Sequence, residues 1–240
     1  MEVHHAHHVT HKKKWIEYLL EFFMLFLAVF LGFIAENIRE NLTDKRRGEE
    51  YVRSFVEDLK KDTAQFNRLI NEYNYADSVT NQISQCYDSV SHQASSTACL
   101  KRILYYFTGF TDFIYTDRTI QQLKNAGGLR LISDKSITDS IISYDAVVRQ
   151  SLIHQDVQEN SQANSIRAIQ QEIDFASFHQ LYSGRRNSDP DPQLLHTDKA
   201  SVDQLFNNLW TFKINLLSQA SNVIRLKARA ERLIKYLENK

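Results

Sequence analysis

The amino-acid sequence predicts an all-α protein, in which a single N-terminal transmembrane helix leads into an antiparallel bundle of long, coiled-coil-like helices. Three observations point there. Only six Gly and two Pro occur in 240 residues, where average usage would give roughly 17 and 12. A chain so poor in turn residues favours long helices over many short strands. One segment near the N-terminus is apolar for about the length of a membrane crossing, and beyond it apolar residues recur at steps of three, four and seven.

The apolar segment runs from Trp15 to Ala35 and is interrupted only by Glu17 and Glu21. As a helix it covers roughly 31 Å, close to the hydrocarbon thickness of a bilayer. Trp15 and Tyr18 stand at one end, where interfacial aromatic residues belong. A cleaved signal peptide would place Phe33 and Ala35 at the −3 and −1 sites, and Phe is a poor −3 residue. A buried helix of a soluble core is the other alternative, but the rest of the chain is too polar to wrap it. The expected organisation is therefore a His/Lys-rich tail over 1–14, a transmembrane helix over 15–36 and a helical bundle over 37–240.

The span has two faces. With Glu21 at 0° on a helical wheel, Phe22, Phe23, Phe26, Phe30 and Phe33 fall between roughly 100° and 200°. Glu17, Ala28, Gly32 and Ala35 lie within roughly 40° of Glu21, and Glu36 lies about 60° away. Small residues let a second helix approach closely, and a carboxyl inside a membrane faces a bundle interior rather than lipid. A self-associating interface through Glu21, Ala28, Gly32 and Ala35 follows as the expectation. Glu21 placed shallowly and reaching the headgroups is the plainer reading. A sharper one makes Glu17, Glu21 and Glu36 parts of an ion or proton path.

Lys12, Lys13 and Lys14 abut the start of the span, whereas Glu36, Arg39 and Glu40 mix charges beyond it. The lysine cluster orients the N-terminus to the cytoplasm and the bundle to the far side, which in a bacterial inner membrane is the periplasm. Cys86 and Cys99 flank the polar stretch between them and could form one disulfide clip in that oxidising compartment; two ordinary buried thiols are the alternative. The opening "MEVHHAHHVTH" holds His4, His5, His7, His8 and His11, a set that binds transition metals and titrates near neutral pH.

Beyond the span, Val52, Phe55, Leu59, Phe66, Leu69, Tyr73, Ala76, Ile83, Tyr87 and Val90 form a stripe that predicts one helix over 49–90, continuous with the membrane helix or kinked at Gly48. "TACLKRILYYFTGF" gives a short helix for Gly109 to end. Thr116 or Asp117 caps the next, and the Gly127-Gly128 pair closes it in the left-handed conformation. Ser133 or Asp134 caps a helix expected over 134–182, whose polar middle "HQDVQENSQANS" is a solvent face, a subunit seam or a weak point. Pro190 and Pro192 mark a loop. A last helix over 199–238 carries the near-heptad set Leu209, Phe212, Leu216, Val223, Leu226, Ala230, Leu233 and Leu237.

The blocks "MEVHHAHHV…KKKWIEYLLEFFMLFLAVFLGFIAENIRE" and "TIQQLKNAGGLRLISDKSITDSIISY" resemble a family of single-pass bacterial membrane proteins with a histidine-rich N-terminus and a helical extramembrane domain, classed as a domain of unknown function. The resemblance covers the anchor and the middle of the helical region, and it implies the anchor-plus-helices layout and no activity.

A net charge of +0 leaves no basic excess for a general nucleic-acid binder. No Gly-rich phosphate loop, His-Glu-x-x-His motif or nucleophile–base spacing occurs. The sequence thus points to a non-enzymatic, membrane-anchored structural or interaction protein. Its expected partners are lipid, further copies of itself and possible other membrane proteins, with an ion- or proton-conducting oligomer and a metal, pH or ligand sensor as the competing readings.

Overall fold

A computed structural model describes residues 14–92, 97–106, 112–174 and 191–240. The N-terminal histidines therefore lie outside the described residues, as do Gly109, His179, Pro190 and most of the loop that precedes the last helix. Among the described residues the protein is all-helical, with a single isolated bridge between Ile173 and Leu194.

Helix α1, Trp15–Thr80, carries the apolar span and then the first half of the core without interruption. It has 66 residues and is therefore about 99 Å long. The stripe expected to run to Val90 does so with one break. At Asn81 and Gln82 the ladder gives way to a turn, and α2, Ile83–His92, follows. Gly48 does not end or interrupt the helix. A Cβ there would meet the Leu131 carbonyl oxygen at 2.2 Å and its carbon at 2.8 Å, so glycine serves close approach of two backbones rather than flexibility.

Helix α3, Ala98–Tyr106, is joined to α2 by a Cys86–Cys99 disulfide with Cα atoms 5.6 Å apart. Helix α4, Arg118–Asn125, has Asp117 at its N-cap position, but that side chain makes no capping bond. The cap comes from α1: Asp58 accepts from the Thr119 amide at 3.1 Å, and Asp62 accepts from the Thr116 amide at 3.0 Å. Gly127 takes φ +66° and turns the chain out of α4 into a 3-10 turn, Gly128–Leu131. This is the left-handed residue that the glycine pair predicts.

Helix α5, Lys135–Gln170, is capped by Asp134, which accepts from the Ser136 amide at 2.9 Å. It stops a full three turns before the expected residue 182. Glu172 and Asp174 pair with the chain around Leu194 instead, through Asp174 N to Gln193 O and Leu195 N to Glu172 O, both at 2.9 Å. An extended partner captures the backbone, and Ile173 enters the core from there. Helix α6, Lys199–Glu238, has the expected limits and is capped by Asp198 on the Ser201 amide at 3.1 Å.

Three long helices meet in the core, and α6 contacts both of the others. Its partners on α1 and α2 run in opposite order: on α1, Glu238 pairs with Lys60, Gln219 with Tyr73 and Lys213 with Asp77, and on α2, Asp203 pairs with Tyr87. On α5 the order is likewise reversed, from Tyr236 with Ser136, through Arg229 with Ser143 and Asn222 with Ser151, to Asn215 with Ser161. The polar middle of α5 is thus a seam within the chain. Gln158 and Ser161 bond to α6, and Gln162 and Ser165 are buried.

The interior divides into two apolar clusters. One gathers Phe55, Leu59, Phe66 and Leu69 of α1 with Ile141, Tyr144 and Val148 of α5 and Val223, Leu226 and Ala230 of α6. The other, around the disulfide, joins Val79, Ile83, Leu100 and Ile103 to Leu205, Leu209 and Phe212.

Candidate functional site

From Trp15 to Leu42 every residue of α1 is exposed, and the first buried position is Gly48. Trp15 is 78% exposed and Phe33 72%, values expected of a helix with nothing against it. One 18-residue window has a mean hydropathy of 2.3, and none of it is buried. By length and composition this is the one helix among the described residues able to cross a membrane. Full exposure of the window sets aside the buried-core alternative.

The two faces persist in three dimensions. Phe26 and Phe30 stack on the bulky side with ring centroids 6.0 Å apart. On the other side, nothing stands within 4 Å of where a Gly32 Cβ would lie. Glu17 and Glu21 lie one helical turn apart and line one shallow depression with Ile16 and Leu20, and Glu36 stands apart from both. Glu17 sits in the first helical turn, where a negative charge is favoured by the helix dipole. Glu21 and Glu36 are separated by about 22 Å of continuous helix. Glu36 is held by Arg39, with Nε to Oε2 at 2.9 Å and Nη2 to Oε1 at 2.5 Å. That pair gives Glu36 a structural role at the end of the span.

Of the other candidates, the N-terminal histidines lie outside the described residues. No group of three or more His, Cys, Asp or Glu able to hold a metal occurs among the described ones. His196 rests on Glu172 at 3.2 Å, and His154 is exposed.

A buried polar cluster at the centre of the bundle escapes a reading of apolar stripes. Asp58 and Asp62 lie four residues apart on the core face of α1, between Phe55 and Phe66, and both are buried. Asp58 accepts from the Thr119 amide and hydroxyl, at 3.1 and 2.5 Å, and from Arg118 at 3.0 Å. Asp62 has one oxygen on Thr116; its other oxygen, Oδ2, and the hydroxyls of Tyr115 and Tyr144 are buried without hydrogen-bond partners. Burial pushes the Asp62 carboxyl up to about 6; the bonds from Thr116 oppose the rise, and the charges of Asp58 and Asp117 add to it. Burial also pushes the Tyr115 and Tyr144 hydroxyls up. Asp145 behaves oppositely. Burial raises it, but bonds from Lys124 and Arg149 outweigh that and hold it below the usual carboxylate range.

This cluster clamps residues 115–119 onto α1. Carboxylates in phase with the apolar stripe were its signal in the sequence: a charge at a core position must be satisfied by something.

The chain matches no family model, no curated protein and no solved structure.

Proposed function

We propose that this is a membrane-anchored, non-catalytic structural and interaction protein that self-associates through its transmembrane helix. In this reading 1–14 is a cytoplasmic tail, 15–36 crosses a bacterial inner membrane once, and 37–240 is a periplasmic antiparallel bundle of coiled-coil-like helices. The observation that carries the proposal is the span itself. A helix apolar on all sides, wholly exposed and joined without a break to a well-packed body has no stable place in water. The reversed pairing of α6 with α1 and α5 supports the antiparallel arrangement. The lysines at 12–14 support the orientation, and a Cys86–Cys99 disulfide agrees with an oxidising compartment. The likeness to single-pass bacterial membrane proteins agrees with the same layout.

Self-association rests on the small face. Its residues Glu21, Ala28, Gly32 and Ala35 are exposed, and a Cβ at Gly32 would meet nothing within 4 Å. Close helix packing there would cover Glu21, which a bundle interior suits better than lipid does. Native mass spectrometry from a gentle detergent tests this. Wild type should give a defined oligomer, and Gly32→Leu should release monomers. A monomer in both would leave the face to lipid or to another membrane protein and would end the self-association reading.

One observation favours a second reading, a sensor that transmits between membrane and bundle. The span and the core stripe belong to one helix, and Gly48 seats that helix against the Leu131 carbonyl with no room for an intervening side chain. Rotation or tilt of the span would therefore reach the bundle. Hydrogen exchange in 118–131 should then change when metal is added to wild type and stay constant when residues 1–11 are deleted. Unchanged exchange in both removes the histidine tail from any signalling role.

A further inference from the structure

Helix α6 carries two apolar stripes. One is the core seam. The other, Trp210, Ile214, Leu217 and Ile224, follows the alternating three- and four-residue steps of a heptad on the opposite side, with Ser221 and Ala228 at the intervening positions. Ile214 is 64% exposed, and Leu217 and Ile224 are exposed as well; Trp210, at the start of the stripe, is 39% exposed and carries the Lys213 ammonium over its ring at 5.4 Å. On α5, Ile153 and Val157 are also exposed. Bonds from Gln158 to Ser218 and from Asn222 to Ser151 bring them level with Leu217 and Ile224. These two residues add exposed apolar area to the outer face of the bundle at that level.

Further along α6, the groove between α5 and α6 is cationic. Arg225, Arg229 and Arg232 follow at steps of four and three, flanking the end of the apolar stripe. Arg229 donates to Ser143 Oγ at 2.9 Å, and none of the three meets a carboxylate within ion-pair distance among the described residues. Arg229 and Arg232 line a depression of about 480 Å³ with Ser140, Ser143 and Tyr236. Asp139, the carboxylate in its lining, stays beyond ion-pair distance of both.

We propose that this groove docks an amphipathic helix of another protein, with an apolar stripe at heptad spacing and acidic residues along its flank. The heptad steps select a helix. The arginines select acid. Charge argues against a second copy in the groove: parallel pairing of two α6 helices would set Lys227 of one against Arg232 of the other. The bilayer that holds α1 is too far away, because Gln219 is level with Tyr73, roughly 55 Å of helix beyond Glu36. Lipid thus cannot cover the stripe while the helix stands in the membrane.

Two synthetic helical peptides with the same apolar heptads, one flanked by Glu and one by Lys, are the probes. They are titrated against the full chain in nanodiscs by fluorescence anisotropy. The Glu peptide should bind at least tenfold more tightly than the Lys peptide, and its affinity should fall with added salt. Reversing Arg225, Arg229 and Arg232 to Glu should invert the preference. Leu217→Ser with Ile214→Ser should weaken both peptides. Equal affinity for the two peptides, or none for either, overturns the proposal. So does a wild-type oligomer that loses subunits on Leu217→Glu, since a second copy would then occupy the stripe. Gly32→Leu reports on the membrane interface alone, so failure of one interface is distinguishable from failure of the other.

Discussion

The two halves of α1 share one helix and have opposite surroundings. From Trp15 to Leu42 every described side chain is exposed; after Gly48 one stripe is buried and the other faces are mostly polar or charged. Backbone hydrogen bonding is the same in both. The difference lies in the side-chain pattern. Apolar residues on all sides call for a solvent that is apolar on all sides, whereas a stripe with a period near 3.6 calls for neighbouring helices on one side. A helix can be continuous through two media because its polar backbone is satisfied within itself.

Replacing the same residue type in each half should break or sharpen that comparison. The largest effect is expected at phenylalanine. Phe66 is 0% exposed and packs on Phe113 with centroids 4.5 Å apart, so Phe66→Ala should destabilise the bundle by about 3–5 kcal/mol. Phe26→Ala should leave bundle unfolding unchanged. Chemical denaturation in detergent, followed by circular dichroism, measures both. Equal losses would mean that the span packs against the body.

Glycine comes next. Gly48→Ala should cost about 2–3 kcal/mol, because the new Cβ forces the Leu131 backbone to move. Gly32→Ala meets nothing within 4 Å and should be neutral to bundle stability, by the same assay. A stabilising Gly48→Ala would show that the seat of the 3-10 turn on α1 yields easily.

The smallest effect concerns pH. The folded-state carboxyl of Asp62 lies at about 6, above its unfolded value near 3.9. The folded protein thus holds a proton that the unfolded chain has released. The contribution of this group is most favourable below about pH 4, weakens through the interval, and becomes a cost of about 2 kcal/mol above pH 6. Asp62→Asn should therefore gain stability relative to wild type at pH 7.5 and lose that advantage at pH 4.5. Unfolding free energies at the two pH values decide it; a gain at pH 4.5 alone reverses the sign and removes Asp62 as the cause.

Much of the fold was legible because it rests on local chemistry. The limits of α6 followed from the apolar period, and the left-handed turn followed from the Gly127-Gly128 pair. The core positions of α1 and α6 followed from their stripes. The failures share a different cause. The end of α5 depends on an extended segment more than twenty residues further on, which captures Glu172 and Asp174 and stops the helix short of residue 182. Asp117 was a sensible cap from its position in the chain, yet α4 takes its cap from Asp58, about sixty residues earlier. Gly48 left a continuous or a kinked helix open, because nothing nearby in sequence indicates the Leu131 carbonyl.

The same division holds for the candidate surfaces. The two-faced span can be drawn on a helical wheel, and the structure adds that it is exposed. The second stripe on α6 is also present in the sequence, but its meaning is not. A helix with two apolar stripes can bury either one.

The sequence by itself determined which segments are helical, which one suits a membrane and where glycine must turn the chain, because those depend on residues within a turn or two of each other. Only the tertiary structure decided which stripe of α6 becomes core, which carboxylates on α1 become caps and how the arginines gather beside an exposed apolar ridge. Those outcomes depend on which helices pack together, and burial is a property of the packed chain rather than of any one segment.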